Sequence, residues 1–199
     1  MPNIETITPE RAARLERVLR RRQPTLTVVF ENVHDPHNVS AVIRTCDAVG
    51  VFEVHGIYHG RTEFPDLGAK SSASARKWIE LHLHQSVEEC YAHLRAKGFR
   101  IYTTHMSSDA VNLYDIDLTQ KVALVFGNEH DGVSEEARTR ADGNFLIPQV
   151  GVVQSLNISV ACAVSLYEAY RQRERAGMYA EPQIEAGRLA ELHRDWCGR

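Results

Sequence analysis

Short apolar runs alternate with helix-like segments along nearly the whole chain, and this alternation constrains the fold more than any other feature. Runs with strand character lie at six places, at 26–32, 52–58, 78–84, 99–106, 121–129 and 144–148. Segments with helical spacing lie between or beside them. Such alternation is typical of an α/β protein that has a largely parallel sheet with helices on both faces.

The helical segments carry recognisable start and stop signals. Thr8 followed by Pro9 has the pattern of an N-cap and a first helical residue. Ser86 and Glu89 have the spacing of a capping box, and Gly98 closes the helix that they open. Further helices are predicted over 38–49, over 134–141 and after residue 157.

The patterns divide the chain into three parts. A basic helix occupies residues 1–25, the main domain spans 26–178, and a tail follows at 179–199. The tail is predicted to be a weak helix that is loosely attached, if it is attached at all. Within the main domain, residues 60–77 are predicted to be a loop with at most a short helix, and residues 109–118 to be a connection.

The composition of the 199 residues excludes several classes of protein. A net charge of −3 does not mark the whole chain as a nucleic-acid binder, although an average can hide local patches. The four cysteines form no CxxC pair and the ten histidines form no HExxH motif, which argues against a zinc site or a disulfide framework. No apolar run approaches membrane-spanning length. We therefore expect a cytoplasmic protein that requires neither a membrane nor a metal.

A ligand pocket is expected at the carboxyl ends of the strands, because parallel α/β sheets bind their ligands there. Three predicted strands end in loops, at 103–105, 127–129 and 147–148. The dinucleotide fingerprint GxGxxG, the P-loop pattern and the hydrolase elbow GxSxG are all missing from the sequence. A generic nucleotide-binding domain is therefore a poor interpretation.

A polar trio, Gln154, Ser155 and Asn157, leads directly into an apolar run at 158–166. Serine or asparagine can cap a helix N-terminus, which gives Ser155 and Asn157 a structural interpretation. One cap does not need three such side chains, so an extended loop that holds a small polar ligand is the alternative. The residues alone leave both interpretations open.

Three other positions also have both a structural and a functional interpretation. Arg44 lies opposite the apolar face of the 38–49 helix, where it is either solvated or directed at a phosphate or carboxylate. Asn38 would cap that helix if its role is structural. Glu129 follows a buried strand and a glycine turn, where it either caps a helix or orients an arginine by charge-assisted hydrogen bonds.

Taken in order, three segments resemble the motifs of the SpoU branch of the SPOUT RNA methyltransferases. HNVSAVIRTCDAVG (37–50) resembles motif 1, LVFGNEHDG (124–132) resembles motif 2, and IPQVGVVQSLNISVACAVSLYEA (147–169) resembles motif 3. The resemblance covers most of residues 8–178. It points to the TrmH subgroup, the tRNA (guanosine-2′-O)-methyltransferases.

The resemblance implies an α/β fold whose C-terminal segment is threaded through a loop as a deep trefoil knot. Loops 127–132 and 147–156 would then form a pocket for S-adenosylmethionine (SAM), the methyl donor. Relatives of this kind are homodimers whose active site uses both subunits. The apolar helix that follows the pocket is therefore expected at the dimer interface.

The same resemblance implies roles for individual residues, with Arg44 as the catalytic arginine and Glu129 as the group that helps to orient it. The expected catalytic site consists of Asn38, Arg44, Glu129, Ser155 and Asn157. The expected cofactor contacts come from Thr104, Gly127, Ile147, Ser155 and Leu156.

The implied reaction is methylation of a ribose 2′-oxygen in tRNA, at the D-loop guanosine 18. Arginine is ordinarily always protonated, and a nearby phosphate favours its charged form, so Arg44 is poorly suited to act as a general base. We expect it instead to grip phosphate and ribose and to stabilise the developing alkoxide. A methyltransferase for rRNA or for another tRNA position, and a non-catalytic knotted RNA-binding protein, remain as alternatives.

Basic residues on the first and last long helices are the expected RNA contacts, namely Arg11, Arg17, Arg20, Arg22, Arg171 and Arg173. Solvated helix arginine is the structural alternative. Phosphate contacts by these side chains would make RNA binding strongly dependent on salt.

Overall fold

A computed structural model describes residues 7–59, 64–66, 75–107, 109–128, 130–153 and 155–199. The described residues form one sheet of parallel strands in the order β3-β2-β1-β6-β4-β7-β5. The strands are β1 (Leu26–Glu31), β2 (Glu53–Ile57), β3 (Glu80–His84), β4 (Arg100–Thr104), β5 (Val111–Asn112), β6 (Val122–Phe126) and β7 (Gly143–Leu146).

Helices connect most of these strands, which confirms the predicted α/β class. The helices are α1 (Pro9–Arg20), α2 (Pro36–Ala48), α3 (Val87–Ala96), α4 (Glu135–Arg140), α5 (Ile158–Arg175) and α6 (Ala186–Cys197). Two short 3₁₀ helices lie at Ala75–Trp78 and Leu113–Asp115.

The central strand β1 shows how the sheet divides the core into two layers. Its side chains alternate between the two faces, as they must in any extended strand. Val28 and Phe30 pack in the cluster that includes the apolar residues of α2 and α5. Val29 faces the other way and packs with residues of α3 and α4. Every residue of β1 is therefore buried, as expected for an inner strand of a parallel sheet.

Two predicted helix starts are confirmed and a third is moved. The hydroxyl groups of Thr8 and Ser86 accept hydrogen bonds from backbone N–H groups in the first turns of α1 and α3. Asp35, and not Asn38, caps α2, because its carboxylate accepts from the backbone N–H of His37 at 2.8 Å. Asn38 lies inside the first turn and is buried.

The connection predicted at 109–118 contains a strand that the pattern did not reveal. Val111 and Asn112 pair in parallel with Phe145 and Leu146 and complete the β7 edge of the sheet. A two-residue strand is too short to show an alternating pattern. Most of the loop predicted at 60–77 lies outside the described residues, apart from 64–66 and the 3₁₀ helix.

The C-terminal tail is firmly attached, so the prediction of a loose tail is wrong. Helix α6 packs against α1, and Leu192 and Trp196 are buried together with Leu15 and Leu19. The two helices bury apolar stripes that neither could bury alone, which is why the tail docks. Among the described helices, none combines the length and the apolar character needed to cross a membrane.

Candidate functional site

A cavity opens where β4, β6 and β7 end, which is where the strand pattern predicted a pocket. Its volume is about 470 Å³. The lining includes six residues that the sequence had singled out, Thr104, Gly127, Ile147, Ser155, Leu156 and Asn157. Loops that are 20 to 50 residues apart in sequence therefore meet around one space, since parallel strands end at the same edge of the sheet.

His105 after β4 and Asn128 after β6 also line the cavity, and both belong to the strand-end segments named from the sequence. Met106 and Gln149 line it as well but were not singled out. Each one neighbours a residue that had been chosen, so the rule that placed the pocket at strand ends could have found them. Arg138 on α4 also approaches the cavity, with a guanidinium nitrogen 3.5 Å from Nε2 of His105.

The loop after β6 is a tight turn that leaves no room for a side chain at its first residue. The Asn128 carboxamide oxygen accepts hydrogen bonds from the backbone N–H groups of His130 and Asp131, both at 2.8 Å. The Gly132 N–H donates to the Asn128 carbonyl at 3.0 Å, with Gly132 at a positive φ of 67°. A Cβ atom on Gly127 would lie only 1.9 Å from the Gly132 backbone. Glu129 itself lies outside the described residues, so its predicted role stays a prediction.

Asn157 has both the structural and the functional position that the sequence left open. Its side-chain oxygen caps α5 by accepting from the Ser159 backbone N–H at 2.8 Å. Its side-chain nitrogen donates to the Asn38 oxygen at 3.1 Å, across 119 residues of chain. One amide thus caps a helix and joins motif 3 to motif 1 beside the cavity.

The structure places Arg44 on the exposed surface of α2, away from the cavity of its own chain. No other described residue forms a hydrogen bond or an ion pair with its guanidinium. Ser155 is exposed and lines the cavity. The predicted catalytic set is therefore brought together only in part within one chain, through Asn38, Ser155 and Asn157.

The buried carboxylate of Glu31 holds one of the loops that line the cavity, and it was not identified from the sequence. It ends β1 and is 1% exposed. One of its oxygens accepts from the backbone N–H of Ser134 at 2.8 Å, and the other lies 3.3 Å from Nε2 of His59. Glu31 thus fixes the far end of the loop that begins at Gly127. The sequence did offer one signal for Glu31, because it is a charged residue at the end of an apolar strand.

The arginines predicted to contact RNA fall into three groups. Arg11, Arg17 and Arg20 are exposed on α1. Arg171 is exposed but is held by Glu168 through two hydrogen bonds of 2.6 and 2.7 Å, and this contact raises the pKa of Arg171. The third group, Arg22 and Arg173, is buried.

The expectation of RNA contact is wrong for Arg22 and Arg173, because both side chains are fully buried. Arg22 donates to the Asp47 carboxylate at 2.5 Å and to the Val51 carbonyl at 3.0 Å. Burial lowers the pKa of Arg22, and the nearby Asp47 opposes that effect. Arg173 donates to neutral oxygen atoms only, among the described residues. Both groups therefore serve the fold.

The sequence of this chain is similar to those of known proteins. Residues 25–167 match the model of the SpoU rRNA Methylase family. A tRNA (guanosine(18)-2′-O)-methyltransferase of Thermus thermophilus is 46% identical over 189 residues, which cover 95% of this chain and 96% of that protein.

Two solved structures are similar to the fold described above. The A. aeolicus TrmH/SpoU tRNA modifying enzyme is 37% identical with a TM-score of 0.88, covering 94% of this chain and 95% of that one. The SpoU methyltransferase AviRb from Streptomyces viridochromogenes, solved in complex with the cofactor AdoMet, is 29% identical with a TM-score of 0.68. That match covers 78% of this chain and 60% of AviRb.

The two glycines of the cavity loops provide a matched test of the turn after β6. Gly127→Ala should lower the free energy of unfolding by about 1–3 kcal/mol, because its Cβ meets backbone atoms that no rotamer change can move. Gly151→Ala adds the same methyl group where no atom lies within 4 Å, so the change should stay within about 0.5 kcal/mol. Urea unfolding followed by circular dichroism measures both. Equal stabilities for the two variants would contradict the tight turn.

Proposed function

The chain belongs to the SpoU methylase family, and on that premise we propose that it transfers the methyl group of SAM to the 2′-oxygen of guanosine 18 in tRNA. The observation that carries the proposal is that motif 2 and motif 3 line one cavity, to which the Asn157–Asn38 hydrogen bond connects motif 1. The relative that shares 46% of its residues over nearly its whole length acts on this nucleotide by name. We place the activity in the cytoplasm, where free thiols such as those of the four cysteines stay reduced.

The cavity suits a cofactor of the size and mixed polarity of SAM. Its volume of about 470 Å³ falls within the range of roughly 300–1,000 Å³ that is usual for small-molecule sites. Ile147 and Leu156 offer half-buried apolar surface, while Gly127 lets the cofactor approach the backbone closely. Thr104 is held in place because its hydroxyl donates to the Val125 carbonyl at 3.2 Å. When bound, SAM supplies a methyl group on a positively charged sulfur, which is already a strong electrophile.

The residues of this chain then have to position the ribose and assist the loss of the proton from its 2′-hydroxyl. Asn157 and Ser155 line the cavity where the 2′-hydroxyl would approach. We assign Arg44 the role of holding phosphate and ribose and of stabilising the alkoxide as it develops, because a guanidinium keeps its proton. Glu129 is proposed to help orient that arginine.

A homodimer is proposed because apolar side chains next to the cavity-lining residues are left exposed by the described part of the chain. Val150 and Val152 are fully exposed, Val153 is 64% exposed and Val160 on α5 is 47% exposed. A second copy packed on this face would bury them and continue the apolar surface of α5. The second copy would also bring its own side chains to the cavity. This fits the finding that Arg44 does not line the cavity of the chain to which it belongs.

The trefoil knot that the resemblance implies is also a proposal. Strand β7 lies beyond β4, whereas α5, which follows it, packs on α2 in the first half of the chain. The segment between them therefore crosses back over the carboxyl ends of β4 and β6. Such a crossing supports threading of the C-terminal segment, although generic chain rules disfavour knots.

Incubation of unmodified tRNA transcript with labelled SAM tests the proposed function directly. We expect one methyl group per tRNA, located on the ribose of guanosine 18 when the product is digested and mapped. A transcript that already carries a 2′-O-methyl group at that guanosine is the control and should accept no label. Methylation at another nucleotide, or preferential labelling of ribosomal RNA, would reject this assignment.

Arg44→Ala separates catalysis from cofactor binding. We expect kcat to fall by about 10²–10³ or more, the usual result of removing a group that stabilises transition-state charge. The Kd for SAM should change little, because the role proposed for Arg44 is to hold the phosphate and ribose of the RNA and not the cofactor. Arg140→Ala, which removes another exposed helix arginine, is the matched control. Single-turnover methylation and calorimetry measure the two quantities, and retained turnover in the Arg44 variant would remove its catalytic assignment.

Arg11, Arg17 and Arg20 are proposed as phosphate contacts because all three are exposed on one helix. Replacing them together by alanine should reduce the slope of log K against log salt by about 2–3, since each phosphate contact contributes roughly 0.7–0.9. The control variant replaces Arg95, Arg100 and Arg140, which are exposed on other elements. Filter binding of tRNA over a series of salt concentrations gives both slopes. If the two variants have the same slope as the wild-type chain, α1 does not contact the RNA.

A further inference from the structure

Four histidines form a compact cluster at the β3 edge of the sheet, and the proposed reaction does not use them. His55 lies on β2, His82 and His84 on β3, and His93 on α3. Their ring centroids lie 5.0 to 5.7 Å apart in the five pairs that are in contact. The cavity is built from β4, β6 and β7, so β1 separates the two places.

The register of the strands explains why these histidines meet. His55 pairs directly with His82 in the parallel ladder, so both side chains project from the same face. His84 lies two residues further along β3 and shares that face. Helix α3 covers it and contributes Cys90 and His93, which are three residues apart and therefore neighbours on the helix surface.

Two histidines of the cluster, His55 and His84, are buried, and several ring nitrogens have no hydrogen bond. His55 is 0% exposed and His84 is 6% exposed. Nδ1 of His55 lies 3.1 Å from Nε2 of His84, so one proton can serve that pair. Among the described residues, Nε2 of His55, His82 and His93 and Nδ1 of His84 are buried and have no hydrogen-bond partner. Buried polar atoms without a partner are unusual and need an explanation, and a bound ion is one such explanation.

Carboxylates lie near three of these four nitrogens. The Glu53 carboxylate accepts two hydrogen bonds from Lys97 Nζ, at 2.7 and 3.0 Å, and lies 3.2 Å from Nε2 of His82. Its distance to Nε2 of His55 is 3.9 Å, which is too long for a hydrogen bond. Glu89 lies 3.5 Å from Nδ1 of His84. The carboxylates therefore form an outer layer around the buried rings.

We propose that His55, His84 and Cys90 bind one divalent transition-metal ion of the zinc type. Each of the three residues offers a ligand atom, and these atoms all lie within 4.8 Å of one another. Two nitrogens held by a tetrahedral zinc ion at about 2.0–2.1 Å lie roughly 3.3 Å apart, close to the 3.1 Å between Nδ1 of His55 and Nε2 of His84, which are the proposed ligand atoms. The outer nitrogens, Nε2 of His55 and Nδ1 of His84, would then carry the protons and face Glu53 and Glu89 at 3.9 and 3.5 Å. His93, whose ring lies 5.4 and 5.5 Å from those of His55 and His84, is the proposed fourth ligand.

The donor set decides the kind of metal. Imidazole and thiolate ligands suit zinc and its neighbours, whereas magnesium and calcium prefer oxygen ligands. Binding requires the Cys90 thiol to release its proton to solvent, so that sulfur coordinates as thiolate. The ion would connect β2, β3 and α3 without taking part in methyl transfer. Sequence spacing pointed away from such a site because its ligands come from three separate elements.

Cobalt(II) binding to the tag-free full-length chain tests the proposal, because cobalt replaces zinc in such sites and is coloured. We expect one equivalent of cobalt with tetrahedral visible bands and a sulfur-to-cobalt charge-transfer band, both removed by added zinc. Zinc should also raise the melting temperature of the chain. No stoichiometric cobalt, or bound cobalt without the sulfur band, would overturn the site as described.

Matched thiol variants identify the ligand. Cys90→Ser should lose the sulfur band and weaken metal binding by more than about 100-fold, beyond what loss of a second-shell partner costs. Cys46→Ser changes another fully buried thiol that lies outside the cluster. This variant should keep the sulfur band and the metal affinity of the wild-type chain. Circular dichroism of each variant without metal shows whether it is folded. If Cys90→Ser is folded and still gives the band, the proposal fails; if it is unfolded, the cobalt spectrum of the native chain decides.

Discussion

The position of α5, and with it the cavity, depends on one buried guanidinium. Arg173 near the end of α5 is 0% exposed and forms five hydrogen bonds to the segments that precede β1 and β6. The acceptors are the carbonyl oxygens of Leu118, Gln120 and Thr25, the Thr25 hydroxyl and the Gln23 side chain. Burial lowers the pKa of Arg173 to about 10, which still leaves it charged at neutral pH. A buried charge is tolerable only when its donors are satisfied, so this geometry has little freedom.

The opposite end of α5 reaches the cavity, so the helix is fixed at two places. Its eighteen residues span about 27 Å. At that end Asn157 caps the helix and bonds to Asn38. Packing of α5 on α2 fills the space between the two anchors. The polar trio before the helix thus has a structural and a chemical role at once, because the loop that must end at a fixed cap also lines the ligand cavity.

The alternation of apolar runs was sufficient to predict the class of fold and the place of the cavity, but charge misled the reading of two arginines. Arg22 follows Leu15 and Leu19 at the spacing of one helix face, and both leucines are buried. Arg173 lies on the same stripe as Cys162, Leu166 and Ala169. The spacing of both side chains was therefore an unused signal of burial, whereas their charge suggested a surface role. The strand order and the Asn38–Asn157 contact could not be read from the sequence, because they depend on pairings between distant segments.

The prediction of strand β3 was correct, but the alternating pattern did not show which of its side chains are buried. Its sequence alternates, and the usual expectation is that leucines face the core while charged and imidazole groups face water. The structure reverses this at the edge, since His84 is 6% exposed and Leu83 is 50% exposed. The register with β2 fixes the reversal, because His55 faces the α3 side of the sheet together with Val29 on β1. A chain that turns imidazoles inward and an aliphatic residue outward loses apolar burial, so the polar face must offer a compensating interaction. A metal ion shared by those imidazoles would supply it.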